Sequence, residues 1–105
     1  MNSIKNLALT LQFHTRAKLD IRQAIAWYEN EKPGLGKKFN LSLLATFQQI
    51  QNSPFLYPKI FEDFRKARLP KPFPYKVIYW VHQDEAFIIA VAHDKQHPDF
   101  WKDRT

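Results

Sequence analysis

Apolar and polar residues alternate near the start of the chain: Leu7, Leu9, Leu11 and Phe13 interleave with Ala8, Thr10 and Gln12. A period of two is that of a half-buried strand. The period then changes. Ala17, Ile21, Ala24, Ile25 and Tyr28 recur at helical spacing behind Thr15, whose side-chain oxygen suits an N-cap, so a helix is predicted over about 16–31. Lys32-Pro33-Gly34 breaks it. Leu35, Phe39, Leu43, Phe47 and Ile50 form a second stripe, which predicts a helix over about 34–52. Ser53-Pro54 ends it, because the residue before a proline is pushed out of the helical region.

Helices joined by so few residues pack antiparallel as a hairpin. Each is apolar on one face only, so the hairpin requires a sheet to lie against. The rest of the chain supplies one. Residues 75–82 and 86–92 are strongly β in composition, and the short Gln83-Asp84-Glu85 link makes them a hairpin. Residues 64–70 predict a shorter strand, which Pro70, Pro72 and Pro74 restrict to an edge or a loop exit. The expected fold is α/β of the α+β kind, ordered β-α-α-β-β-β: an N-terminal strand, a helical hairpin and a small antiparallel three-strand meander. Residues 1–105 read as one domain, without repeats or low-complexity tracts.

Composition narrows the chemistry. The chain has no cysteine, which removes disulfides, Cys-based zinc sites and thiol catalysis. Two glycines, Gly34 and Gly36, leave no material for a phosphate-cradling loop. Ser3, Ser42 and Ser53 lie in no nucleophile-elbow context. His82, His93 and His97 with Asp84, Asp94 and Asp99 could ligate a metal, but no spacing converges them, so neither a metal nor a cofactor is expected. There is no apolar run long enough for a membrane span and no signal peptide, which predicts a soluble cytoplasmic protein with no membrane partner.

The net charge of +6 is unevenly placed. Arg65, Lys66, Arg68, Lys71 and Lys76 fall within residues 65–76, a stretch with no acid, while the acids gather at Glu62-Asp63, Asp84-Glu85 and the C-terminal segment. A run of this kind is either a solvated face or a footprint for phosphate or an acidic protein. Just beyond the last strand come His93, Lys95 and His97, so neighbouring strands would bring cations and imidazoles to one sheet rim. That set suits metal-free chemistry on RNA, which brings its own 2′-hydroxyl nucleophile and asks for charge stabilisation and proton transfer. His93 has a plainer reading as a capping or packing residue. Phe100 and Trp101 could stack on a base or seal the open end of a core. Trp27 and Tyr28 read as helix-packing residues.

Several short pieces in a fixed order carry a resemblance. Trp27-Tyr28-Glu29, Gly34-Leu35-Gly36-x-x-Phe39, Pro54-x-x-Tyr57-Pro58, Phe73-Pro74-Tyr75 and Ala90-Val91-Ala92-His93, followed by Pro98 and Trp101, resemble the RelE/ParE toxin superfamily over roughly residues 10–104. The resemblance implies the toxin of a type II toxin–antitoxin pair, of the kind often labelled a plasmid-stabilisation protein. Such toxins cleave messenger RNA on the ribosome or inhibit DNA gyrase, and a co-encoded antitoxin neutralises them. For the RNA-cleaving branch it implies phosphate contacts from Arg65, Lys66 and Arg68, from Lys76 where an arginine is common, and from Lys95 where an arginine often follows the last strand. Trp101 stands nearest to a proton-transferring tyrosine of some members and cannot titrate, so that role would pass to His93 or His97.

The basic and histidine-bearing rim favours the RelE-like nuclease, with Arg68, Lys95 and His93 as the catalytic set. Arg65, Lys66, Lys71, Lys76, His97 and Trp101 would then hold the target. Two other functions remain open: a ParE-like gyrase inhibitor without nuclease activity, and a non-toxic basic binding module. The expected partners are an antitoxin with an acidic or disordered segment, and either the ribosome with its mRNA or gyrase.

Overall fold

A computed structural model describes residues 9–105. Leu7 and Ala8 of the expected first strand lie outside the described residues. Within them, β1 is Thr10–Phe13, α1 Thr15–Glu31, α2 Leu35–Asn52, β2 Lys59–Phe61, β3 Phe64–Arg68, β4 Tyr75–His82 and β5 Glu85–His93, followed by a short 3-10 turn at Lys102–Arg104. The sheet runs β1-β5-β4-β3-β2. β1 is parallel to β5, with Thr10 opposite Glu85 and Phe13 opposite Ile88, and every other pair is antiparallel.

Two expectations about the elements need correction. The meander has four strands, because Lys59–Phe61 pairs outside β3, so residues 64–68 are an inner strand and not an edge. The turn between β2 and β3 is Glu62-Asp63, with Glu62 at a φ of 48°. It carries none of the glycine or asparagine that normally marks such a backbone. The second correction concerns the start of α1. His14 is the N-cap, its Nδ1 accepting the N–H of Arg16 at 3.0 Å, and Thr15 is already helical.

The helical hairpin is closed by an acid and two glycines. The carboxylate of Glu29 accepts the N–H groups of both Gly34 and Gly36 at 3.0 Å, satisfying donors that the start of α2 would otherwise leave bare. Gly34 has a φ of 89°, which favours glycine. Gly36 is required by proximity: a Cβ there would come within 2.8 Å of the Ile25 carbonyl oxygen. This accounts for Trp27-Tyr28-Glu29 and Gly34-Leu35-Gly36 occurring as a set. Tyr28 is core, stacking on Phe39, whereas Trp27 is 56% exposed and does not pack between the helices as expected.

The sheet has a different core on each face. On the helix side, Ala17, Ala24, Tyr28, Phe39, Leu43, Phe47 and Ile50 pack against Val77, Tyr79, Ile88 and Val91. On the other side, Ile78, Ile89, Ala90 and Trp101 form a smaller cluster edged by Phe64, Trp80, Phe87 and Phe100. A bulge makes that second cluster possible. Ile78 pairs with Ala90 and Tyr79 with Ile88, which leaves Ile89 unpaired and puts two consecutive β5 residues on one face.

Candidate anion-binding site on the helix-free sheet face

Alternation along β3 and β4 decides which cations meet. Lys66 lies opposite Ile78 and Arg68 opposite Lys76, all four on the face away from the helices, while Arg65 and Ala67 point to the helix side opposite Tyr79 and Val77. Asp94 completes the group from the turn after β5. Arg68 donates from Nη1 and Nη2 to its two carboxylate oxygens at 2.8 and 2.7 Å, and Lys76 Nζ lies 3.8 Å away. Lys76 is largely enclosed, with 16% of its side chain exposed. Burial pulls its pKa below the usual lysine value, Lys66 and Arg68 push in the same direction, and Asp94 opposes them.

A cavity of about 300 Å³ opens beside this group, lined by Lys66, Lys76, Ile78, Phe61, Trp101 and Lys102 among others. Lys102 pairs with Asp99 at 3.0 Å and places its Nζ 3.9 Å from the centre of the Phe61 ring. Lys66 makes no ion pair among the described residues. The arrangement is an apolar-floored pocket whose rim carries Lys66, Lys76 and the Lys102–Asp99 pair, a net positive charge that suits an oxyanion.

The other expected site residues are placed elsewhere. Arg65 donates to the carbonyls of Tyr57 at 2.6 Å and Phe55 at 3.3 Å, so its guanidinium ties down the loop after α2 rather than facing the rim. His93 pairs across the sheet with Tyr75 and leans on its ring, on the helix side, and its Nδ1 accepts the N–H of Lys95 at 3.0 Å. It is therefore a packing and turn-capping residue. His97 caps its own turn in the same way, its Nδ1 accepting the N–H of Asp99 at 3.1 Å. Lys95 and Lys71 are exposed on turns outside the cavity lining. Trp101 is 1% exposed, with its Nε1 donating to the Pro98 carbonyl at 2.8 Å, so it floors the cavity and cannot stack on a base. Lys66, Arg68 and Lys76 are thus gathered into one site, and Arg65, Lys71, His93, Lys95 and His97 are not.

Two members of the site had no clear signal in the sequence. Asp94 reads there only as one more acid among histidines, and Lys102 as one more charge near the C-terminus. The need for Asp94 appears once Arg68 and Lys76 are known to be directly opposite, since like charges in that position repel. Among the described residues no three His, Asp or Glu side chains converge as metal ligands, and no helix is long and apolar enough to cross a membrane.

Residues 11–98 match the family described as the ParE toxin of type II toxin-antitoxin system, parDE. The chain belongs to this family. It is 27% identical over 90 residues to the toxin ParE2 of Mycobacterium tuberculosis, with 85% of each protein covered. Among solved structures it resembles a chain of the chromosomal ParDE system from P. aeruginosa, with a TM-score of 0.71 and 16% identity over 82% of this chain and 96% of that one. It also resembles a mutant of the E. coli toxin RelE in the free state, with a TM-score of 0.63 and 21% identity over 85% of this chain and 86% of that one. At these identities the two structures share the fold of two helices packed on a mixed sheet. With the family match, they make this chain a toxin of the RelE/ParE type.

Proposed function

We propose that this toxin acts by binding its target rather than by cutting RNA, that the target is DNA gyrase, and that a cognate antitoxin holds it inactive. The observation that carries this reading is the occupation of the cationic site by Asp94. Cleavage of a phosphodiester without a metal needs cations free to take up charge developing on the phosphorane, and a group that exchanges a proton near neutral pH. Here Arg68 is engaged at both nitrogens by a carboxylate, and both neighbouring histidines serve as turn caps. A binding toxin requires neither feature. For the antitoxin, the uncompensated Lys66 and the exposed Leu41 and Leu44 of α2 suit a segment that brings both acids and apolar side chains.

One observation favours RNA cleavage as a second reading. Lys76, with a pKa lowered by burial beside Lys66 and a cavity, has the character of a lysine that gives up a proton more readily than usual. Purified toxin should inhibit gyrase supercoiling at near-stoichiometric amounts and leave ribosome-bound mRNA intact. Cleaved mRNA, with cleavage lost in Lys76→Ala, would establish the second reading in place of the first.

A further inference from the structure

Like charges facing each other across strands are normally avoided, yet Arg68 and Lys76 are direct partners. Asp94 makes the pairing tolerable, and its geometry is informative. Arg68 meets both carboxylate oxygens within 2.8 Å, the same planar two-point contact by which a guanidinium takes two oxygens of a phosphate. The backbone that carries this carboxylate is also held in place. The Asp94 N–H donates to the Pro74 carbonyl at 2.9 Å, the Gln96 N–H to the His93 carbonyl at 3.0 Å, and the His93 N–H to Gln96 Oε1 at 2.9 Å. The turn therefore fixes where this acid can go.

We infer that Asp94 is a resident anion that fills the phosphate position of this site and excludes phosphodiesters, so that one residue decides whether this sheet face accepts RNA. The inference rests on the reading of a toxin that does not cut RNA and gives that reading a physical cause. With Asp94 neutral, Arg68, Lys76 and Lys66 would stand as three uncompensated cations on one face of β3 and β4, with the two lysines also lining the cavity floored by Trp101. The guanidinium fork would then be open to an incoming phosphate. Lys76 would serve as a second charge on it, and the attached sugar would extend into the cavity beside Lys66.

The test compares the parent chain with Asp94→Asn, using a short fluorescein-labelled single-stranded RNA and fluorescence anisotropy across a range of salt. The neutral variant should bind roughly tenfold tighter or more, the size of one recovered charge-assisted hydrogen bond. Its logarithmic salt dependence should steepen by about 0.7 for the phosphate gained. Adding Arg68→Ala should cancel the gain. Asp84→Asn removes an equal charge from the β4–β5 turn and should change affinity by less than about twofold, because exposed charges at that distance are screened. Equal affinity of the parent and a folded Asp94→Asn variant overturns the inference, as does an equal gain in Asp84→Asn. If asparagine itself disturbs the turn, Asp94→Ser is read in the same way. Gyrase inhibition by the parent is measured separately, so failure of the target assignment and failure of this inference are distinguishable.

Discussion

Asp20 and Arg104, 84 positions apart, form an ion pair between α1 and the C-terminal turn, with Nη1 and Nη2 of Arg104 2.6 and 3.1 Å from the carboxylate oxygens. The two side chains are 13% and 9% exposed, and each makes a further bond to β5: Asp20 accepts the Val91 N–H at 3.0 Å, and Arg104 donates to the Ile89 carbonyl at 3.1 Å. Together they lock the helix, the bulged strand and the chain terminus to one another. The C-terminal segment thereby holds Trp101 over the helix-free face of the sheet.

Removing either partner leaves the other buried without its counter-charge. Arg104→Ala should cost on the order of 3 kcal/mol. Asp20→Ala should cost a similar amount, since each change also removes a bond to β5, the Val91 N–H in one case and the Ile89 carbonyl in the other. A double-mutant cycle by urea denaturation should give a coupling energy above about 1 kcal/mol. Additive losses would reduce the pair to an incidental surface contact.

Gly36→Ala is expected to destabilise by about 1–3 kcal/mol, because the added methyl meets the Ile25 backbone carbonyl, which cannot rotate away. Gly34→Ala acts through a different cause, since its Cβ would meet nothing within 4 Å and only the positive φ resists it. Thermal melts should therefore rank Gly36→Ala as the more damaging.

Tyr79 predicts an alkaline limit. Its hydroxyl donates to the Pro54 carbonyl, and burial pushes its pKa up to about 12. Because the folded value lies above the unfolded one, this group's contribution is fully present below about pH 10 and is lost as pH rises toward 12, a difference of about 3 kcal/mol. Burial raises Tyr28, Tyr57 and Tyr75 as well, so they act with the same sign. Denaturation at about pH 9 and about pH 11 should show the fall, and Tyr79→Phe should flatten it.

Lys76 is the reverse case, in which the protonated form is the one that burial disfavours. Lys76→Met should stabilise the fold by about 1 kcal/mol, or roughly 4–8 °C in a domain of this size. It should also weaken whatever the cationic face binds. A variant that melts higher and arrests growth less on induction would show stability traded for function at this position. A lower melting temperature would mean that the contact with Asp94 outweighs the cost of burial.

Much of the fold was legible because it rests on local period. The apolar spacing from Ala17 to Tyr28 and from Leu35 to Ile50 specifies which helix faces are buried, and burial follows it closely. Pro54 and Gly34 mark where those helices end and begin. The strands around Val77–Val81 and Ala86–Ala92 were readable for the same reason, whereas Lys59–Phe61 was not. A three-residue strand is shorter than any period can register, and its turn carries no glycine.

The sequence alone therefore determined the helix-side core, the presence of a basic run and every α-helix and strand but Lys59–Phe61, all of which depend on neighbours along the chain. Only the tertiary structure decided which of those charges meet. Lys66, Arg68 and Lys76 share a face because strand side chains alternate and because β3 pairs with β4 in one register, and a slip of one residue would have placed Arg65 there instead. Asp94 reaches them across β4, and His93, one residue earlier, is turned to the opposite side. Such choices are set by pairings between residues far apart in sequence, and no local pattern encodes them.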